Sequence, residues 1–151
     1  MKSSSPLQTL IGLAQDDVDS AAQRLAKVQR ERSEAEKQLE SLITYREEYH
    51  ARFTQSAQNG MSAGNVRNFQ AFVDTLDAAI AQQRRIVEQA NERVEEVAKP
   101  EWRRQKQKLG SYEVLQARQD AAQARVEARR EQRDADEHAA RILRMREQHN
   151  P

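Results

Sequence analysis

Three histidines, His50, His138 and His149, are the side chains most suited to acid–base or metal chemistry. A working imidazole needs a second ligand or a carboxylate orienting it, and on a helix that partner stands three or four places away. None of the three has another His at that spacing, and HExxH is missing. There is no cysteine, which removes thiolate nucleophiles, thiolate metal sites and disulfides. The carboxylate pairs Glu47-Glu48, Glu95-Glu96 and Asp136-Glu137 are sequence neighbours, so on a helix they diverge and read as solvated faces. The glycines sit in polar surroundings without GxGxxG or GK[ST], so no phosphate cradle is expected. The expectation is no catalytic residue, no metal ligand and no cofactor.

Two other groups remain. Residues 99–108 (KPEWRRQKQK) set five positive charges and one Glu around Trp102. Such a run is a solvated helix face, a docking face for an acidic protein surface, or a nucleic-acid contact. The second group is aromatic: Tyr45, Tyr49, Phe53, Phe69 and Phe72 gather on either side of a Gly-rich segment. What either group can do depends on the elements that carry it.

The chain has 151 residues, a formal net charge of +1 from 25 basic and 24 acidic side chains, and a mean hydropathy of −1.01. Nucleic-acid affinity comes mainly from unbalanced positive charge, so a dedicated nucleic-acid binder is not expected. With 37% apolar residues there is little to fill a globular interior, and few Gly or Pro to interrupt long helices. No apolar run approaches the ~18 residues of a membrane span. The segment 6–14 is broken by Gln8, Thr9 and Gly12 and followed by Asp16 and Asp17, so it reads as helix and not as a leader.

From Leu7 to Phe53 apolar residues return every three and four places. With Ile11 at position a, the a row is Ile11, Val18, Leu25, Arg32, Leu39, Arg46 and Phe53. The d row is Leu7, Ala14, Ala21, Val28, Ala35, Leu42 and Tyr49. Only Arg32 and Arg46 are not apolar or aromatic; their stems can cover a seam while the guanidinium heads reach water or a flanking carboxylate, or they specify register. The run exceeds the roughly three to four heptads that argue a coiled coil, and spans roughly 70 Å at about 1.5 Å per residue. Ser5-Pro6 suits an N-cap and first helical position after an irregular start. Helix 1 is predicted over about 6–56, a turn over about 57–65 around Asn59-Gly60, and helix 2 over about 66–146.

Helix 2 repeats the pattern, with Phe69, Leu76, Gln83, Ala90 and Val97 at d and Val73, Ile80, Val87 and Val94 at a. Set antiparallel, the two repeats meet in one register about the turn: Phe53 faces Phe69, Leu42 faces Ile80, Leu39 faces Gln83, Val28 faces Val94 and Leu25 faces Val97. The predicted fold is all-α, one long antiparallel two-helix coiled-coil hairpin over 1–151. Pro100 predicts a kink or break, at about 3 kcal/mol inside a helix. The seam then resumes as Trp102, Gln105, Leu109, Tyr112 and Leu115. Beyond about Arg118 nothing in helix 1 is left to pair with, and a solvated helix is expected. In this register Gln38 and Tyr45, at g on one arm, flank the same side as Phe72 and Ala79, at g on the other. They join Leu42, Tyr49, Leu76 and Gln83 in a ridge near the turn that either widens the core or forms a binding face.

These pieces resemble a known family. LxTLxxLA (Leu7 to Ala14), AExQLxxLxxYxxEY (Ala35 to Tyr49), the Asn59-Gly60 turn, NFQxFxxTLxxAIxQ (Asn68 to Gln82) and WxxxKxxLxxxxxLQxRQ (Trp102 to Gln119) follow the order and spacing of the flagellar export protein FliJ family. The resemblance implies a non-enzymatic component of flagellar type III export, folded like the central stalk of a rotary ATPase. It implies three partners: the flagellar export ATPase hexamer, the cytoplasmic domain of the membrane export gate, and export chaperones. It places such a protein in the cytoplasm, peripheral at the inner membrane's cytoplasmic face. Gate-contact positions of the family match Gln38, Leu42, Tyr45, Tyr49, Phe72, Leu76 and Ala79, and an eighth, commonly His, is Gln83 here. Trp102, Arg103, Arg104, Lys106 and Lys108 are the candidate contacts to the ATPase ring. The sequence departs from the family pattern at Pro100 and around Gly110 to Tyr112, where a second Trp is often found. The alternatives are the equivalent stalk of a non-flagellar secretion system or a general export chaperone.

Overall fold

The computed structural model describes residues 5–149, and all but Ser5 and a short turn of them are helical. The expected irregular start falls on residues 1–4 and so lies outside the described residues. Helix α1 covers Pro6–Gln58, α2 covers Ala63–Glu92, a π-helical turn covers Arg93–Ala98, and α3 covers Lys99–His149. From Ala63 to His149 the backbone stays helical without a break. The fold is all-α, a helical hairpin.

The start of α1 and the turn after it are each built by local chemistry. Ser5 opens α1 with a reciprocal pair of bonds: the Gln8 N–H donates to Ser5 Oγ at 3.2 Å, and the Ser5 N–H donates to Gln8 Oε1 at 3.3 Å. This capping box satisfies two of the helix's orphan donors, and Pro6 at the first helical position has no N–H to satisfy. After Gln58, the Gly60 N–H donates to the Ala57 carbonyl at 3.2 Å, and Gly60 takes φ +88°. Only Gly adopts that conformation without a Cβ penalty. Ser62 then caps α2, its Oγ accepting from the Asn65 N–H at 3.2 Å. Gly60→Ala is expected to lower hairpin stability by about 1–2 kcal/mol, read as a lower urea midpoint in helical circular dichroism.

Two compact units are present, and the larger spans Asp16–Lys106. Here the heptad rows account for the burial. On α1, Ala21 and Ala35 are buried and Val18, Leu25, Val28, Leu39 and Leu42 are half-buried. On α2, Val73, Leu76, Ile80, Gln83 and Ala90 are buried, and Val94 in the π turn is fully so. The register also agrees: the Phe53 and Phe69 rings stack with centroids 3.7 Å apart. Both seam arginines reach across to the other arm, Arg32 to Glu95 at 3.3 Å and Arg46 to Asp77. Their stems stay in the seam while their heads meet flanking carboxylates.

One seam assignment in this unit is corrected. Val97, expected at d opposite Leu25, is 63% exposed, and its neighbour Ala98 is buried instead. Pro100 explains the exchange. It has no N–H for the Glu96 carbonyl, and in an α-helix its ring presses on that carbonyl. The preceding turn widens to i→i+5 bonding, with the Lys99 N–H donating to the Val94 carbonyl. One extra residue is thereby taken into the turn, and the seam advances by one place. The helix is relieved by a π turn where a kink or break was expected. The advanced phase continues through half-buried Trp102 and Gln105.

The smaller unit joins the described residues up to Gln15 with those from Gln107 on. Ala14 and Leu109 are its buried apolar side chains. Along α3 the advanced phase makes Tyr112 and Gln116 half-buried, while Leu115, expected in the seam, is 47% exposed. From Arg118 to Ala139 every side chain is exposed, as expected of a solvated helix.

A candidate partner-binding ridge

The aromatic side chains near the turn are held by the seam. Tyr49, at d, is pressed between the arms, with ring centroids 4.7 Å from Phe69 and 4.5 Å from Phe72. Tyr45, one turn before it, stacks on Tyr49 at 6.4 Å and meets the edge of Phe72 at 6.2 Å. Tyr45 and Phe72, from opposite arms, therefore stand on the same flank. Offset and edge-to-face contacts of this kind fix ring orientation as well as adding attraction.

The eight candidate gate residues fall into layers. Gln38 and Tyr45 are exposed, Tyr45 at 43%. Leu42, Tyr49, Phe72 and Ala79 are half-buried. Leu76 and Gln83 are buried within the seam, so they support the ridge from below. Gln83 does so with directed bonds, its Nε2 donating to the Ala35 carbonyl at 3.0 Å and to Gln38 Oε1 at 3.3 Å. A buried amide satisfied in this way favours one register over its neighbours, since any slip strands it among apolar side chains. Phe69, outside the eight, locks Tyr49 from the turn side. Its d position and aromatic ring were the signal for that role.

The basic run of 99–108 is more self-compensated than its composition suggests. Lys106 Nζ lies 4.4 Å from the Trp102 ring centroid, a cation–π contact. Arg104 pairs with Glu101, and Lys99 pairs with Glu95. The Glu101 carboxyl is drawn below its ordinary value of 4.5, chiefly by the hydrogen bond from Gln105 and then by Arg104. The Glu95 carboxyl is drawn down by its hydrogen bond from Lys99 first, then by Arg32. Arg103 and Lys108 are exposed and make no ion pair among the described residues. Among the described residues no three His, Asp or Glu side chains gather as a metal site would need.

The sequence compares closely with known proteins over nearly its full length. The family model described as "Flagellar FliJ protein" matches residues 2–148. The chain belongs to the FliJ family. The Flagellar FliJ protein of Salmonella typhi is 38% identical over 135 residues, covering 89% of this chain and 91% of the relative. The Flagellar FliJ protein of Escherichia coli (strain K12) is 36% identical over the same lengths. Membership in the FliJ family gives the chain a part in bacterial flagellum biogenesis and flagellar protein export. Among the described residues no helix is long and apolar enough to cross a membrane.

Proposed function

We propose that the chain is a non-enzymatic coupling component of flagellar export that links the export ATPase ring to the export gate and handles export chaperones. It works in the cytoplasm, peripheral at the inner membrane. The observation that carries this reading is the ridge: Tyr45 and Phe72 stand 6.2 Å apart on one flank, presented by a seam that holds Tyr49 beneath them. A contact face of aromatic rings on a rigid support suits a partner that must be gripped in one orientation, because little side-chain freedom is lost on binding. The gate's cytoplasmic domain is the partner assigned to this ridge.

The ends of the chain seat in the ATPase ring, with Trp102, Arg103, Arg104, Lys106 and Lys108 as candidate contacts. Arg103 and Lys108 offer the most in such a contact, because their charges are not already spent on neighbours. Nucleotide-driven asymmetry in the ring biases the helices, and the ridge biases the gate. The family match to flagellar proteins favours this over the stalk of a non-flagellar secretion system. Purified flagellar export ATPase is expected to turn over ATP faster with the full chain than alone. It should lose that gain when residues 1–15 and those after Arg118 are removed. An unchanged rate with the full chain overturns the coupling role.

A further inference from the structure

The π turn also alters the outside of the hairpin. Val97, turned out of the seam, forms the lip of a shallow furrow between α1 and the π turn, with Val28 and Ala98 beside it. Arg24, Lys27 and Arg93 line the same furrow. Glu31 and Glu101 border it as well, but Glu101 already accepts from Gln105 and Arg104. Lys27 and Arg93 make no ion pair among the described residues. The furrow is therefore locally basic on a chain whose overall charge is nearly balanced. It adjoins a second hollow that Lys27, Glu31 and Arg93 also border and into which Ile86, 37% exposed, projects. Ile86 and Val97 are about three helical turns apart, roughly 16 Å at about 1.5 Å per residue.

Two exposed apolar side chains at that separation, between two antiparallel helices and flanked by Arg24, Lys27, Arg30 and Arg93 against Glu31, Glu34 and the already engaged Glu101, match the underside of a third helix. We propose that this furrow receives an acidic amphipathic helix of a partner protein, its apolar stripe on Val97, Val28 and Ile86 and its carboxylates on Lys27, Arg24 and Arg93. Charge complementarity selects the occupant: a basic helix meets three like charges here, and a purely apolar one leaves Lys27 and Arg93 desolvated without partners. The furrow holds none of the aromatic ridge residues, though Gln38 of the ridge borders the second hollow beside it, and the proposal does not depend on what the ridge binds.

The test is fluorescence anisotropy of the full chain with two labelled synthetic peptides of about 18 residues, about five helical turns. Both carry Leu at i, i+4, i+7 and i+11; one has Glu on the flanks of that stripe and the other Lys. The Glu peptide is expected to bind, more weakly as salt is raised, and the Lys peptide at least about tenfold less tightly. Val97→Glu, and separately Lys27→Glu with Arg93→Glu, should each weaken the Glu peptide at least about tenfold while thermal unfolding stays unchanged. Tyr45→Ala should leave it unchanged. Equal binding of the two peptides, no binding of either, or indifference to Val97→Glu overturns the proposal. So does sedimentation showing a dimer of this chain that Val97→Glu dissolves, which assigns the furrow to a second copy.

Discussion

Replacing Tyr45 and Phe72 together by alanine is expected to weaken binding to the cytoplasmic domain of the export gate by about 100-fold or more. Aromatic anchors at the centre of an interface typically account for about 2 kcal/mol or more each, or about 30-fold apiece. Their effects are not additive when the rings touch, and these two meet edge to face at 6.2 Å. The double variant therefore falls short of the product of the single ones. Tyr45→Ala is the cleaner single change, because the ring is 43% exposed and its loss leaves the seam intact. Phe72 lies 4.5 Å from Tyr49, so its removal also loosens the support beneath the ridge. Calorimetric titration against the isolated gate domain reads the loss, and helical circular dichroism separates it from unfolding. Swimming in soft agar should fail in the same order: double variant, then Phe72→Ala, then Tyr45→Ala. A double variant that binds as the parent does removes the ridge from the contact.

The second large effect concerns stability. Val94→Asp is expected to abolish cooperative unfolding of the hairpin at neutral pH, whereas Val97→Asp, three residues on, should leave the melting curve where it was. Val94 has no solvent exposure, and its place in the seam offers an introduced carboxyl no designed partner. A buried polar group without a hydrogen bond costs about 2–7 kcal/mol, comparable to the whole stability of many small domains. Val97 is 63% exposed, and exposed substitutions of this kind change stability by about 0.5 kcal/mol or less. The contrast also tests the π turn. An uninterrupted α-helical heptad puts both valines in the seam and requires both variants to unfold. Ala98→Asp supplies the complement, since Ala98 takes the seam place that Val97 gives up.

Most of the hairpin was legible in the residues because a coiled coil is written locally. Each apolar residue is placed by its neighbours three and four positions away, and two such repeats admit one antiparallel register around Asn59-Gly60. The phase therefore survives to Val94, and Tyr45 and Phe72 come out on one flank. The capping box at Ser5 and the left-handed Gly60 are likewise matters of a few adjacent residues. What the ridge residues do individually was less legible. The rows place Leu76 and Gln83 beside Tyr45 without saying that the first two lie underneath. Nor does a heptad say that Arg32 selects Glu95 and Arg46 selects Asp77, because long side chains choose among several carboxylates by distance across the seam.

The residues alone determined the helices, their order, the turn, the pairing as far as Val94, the seam resumed in shifted phase through Trp102, Gln105, Leu109 and Tyr112, and the membership of the aromatic cluster. All of these follow from short-range periodicity and backbone preference. Tertiary structure decided how the chain accommodates Pro100. The residue's missing donor and bulky ring call for some departure from the α-helix, but a break, a kink and a π turn all satisfy that demand locally. A π turn keeps α3 helical and carries the seam forward through Ala98, so its choice depends on packing against the other arm, residues distant in sequence. That packing exposes Val97, and with it a furrow that no local pattern announces.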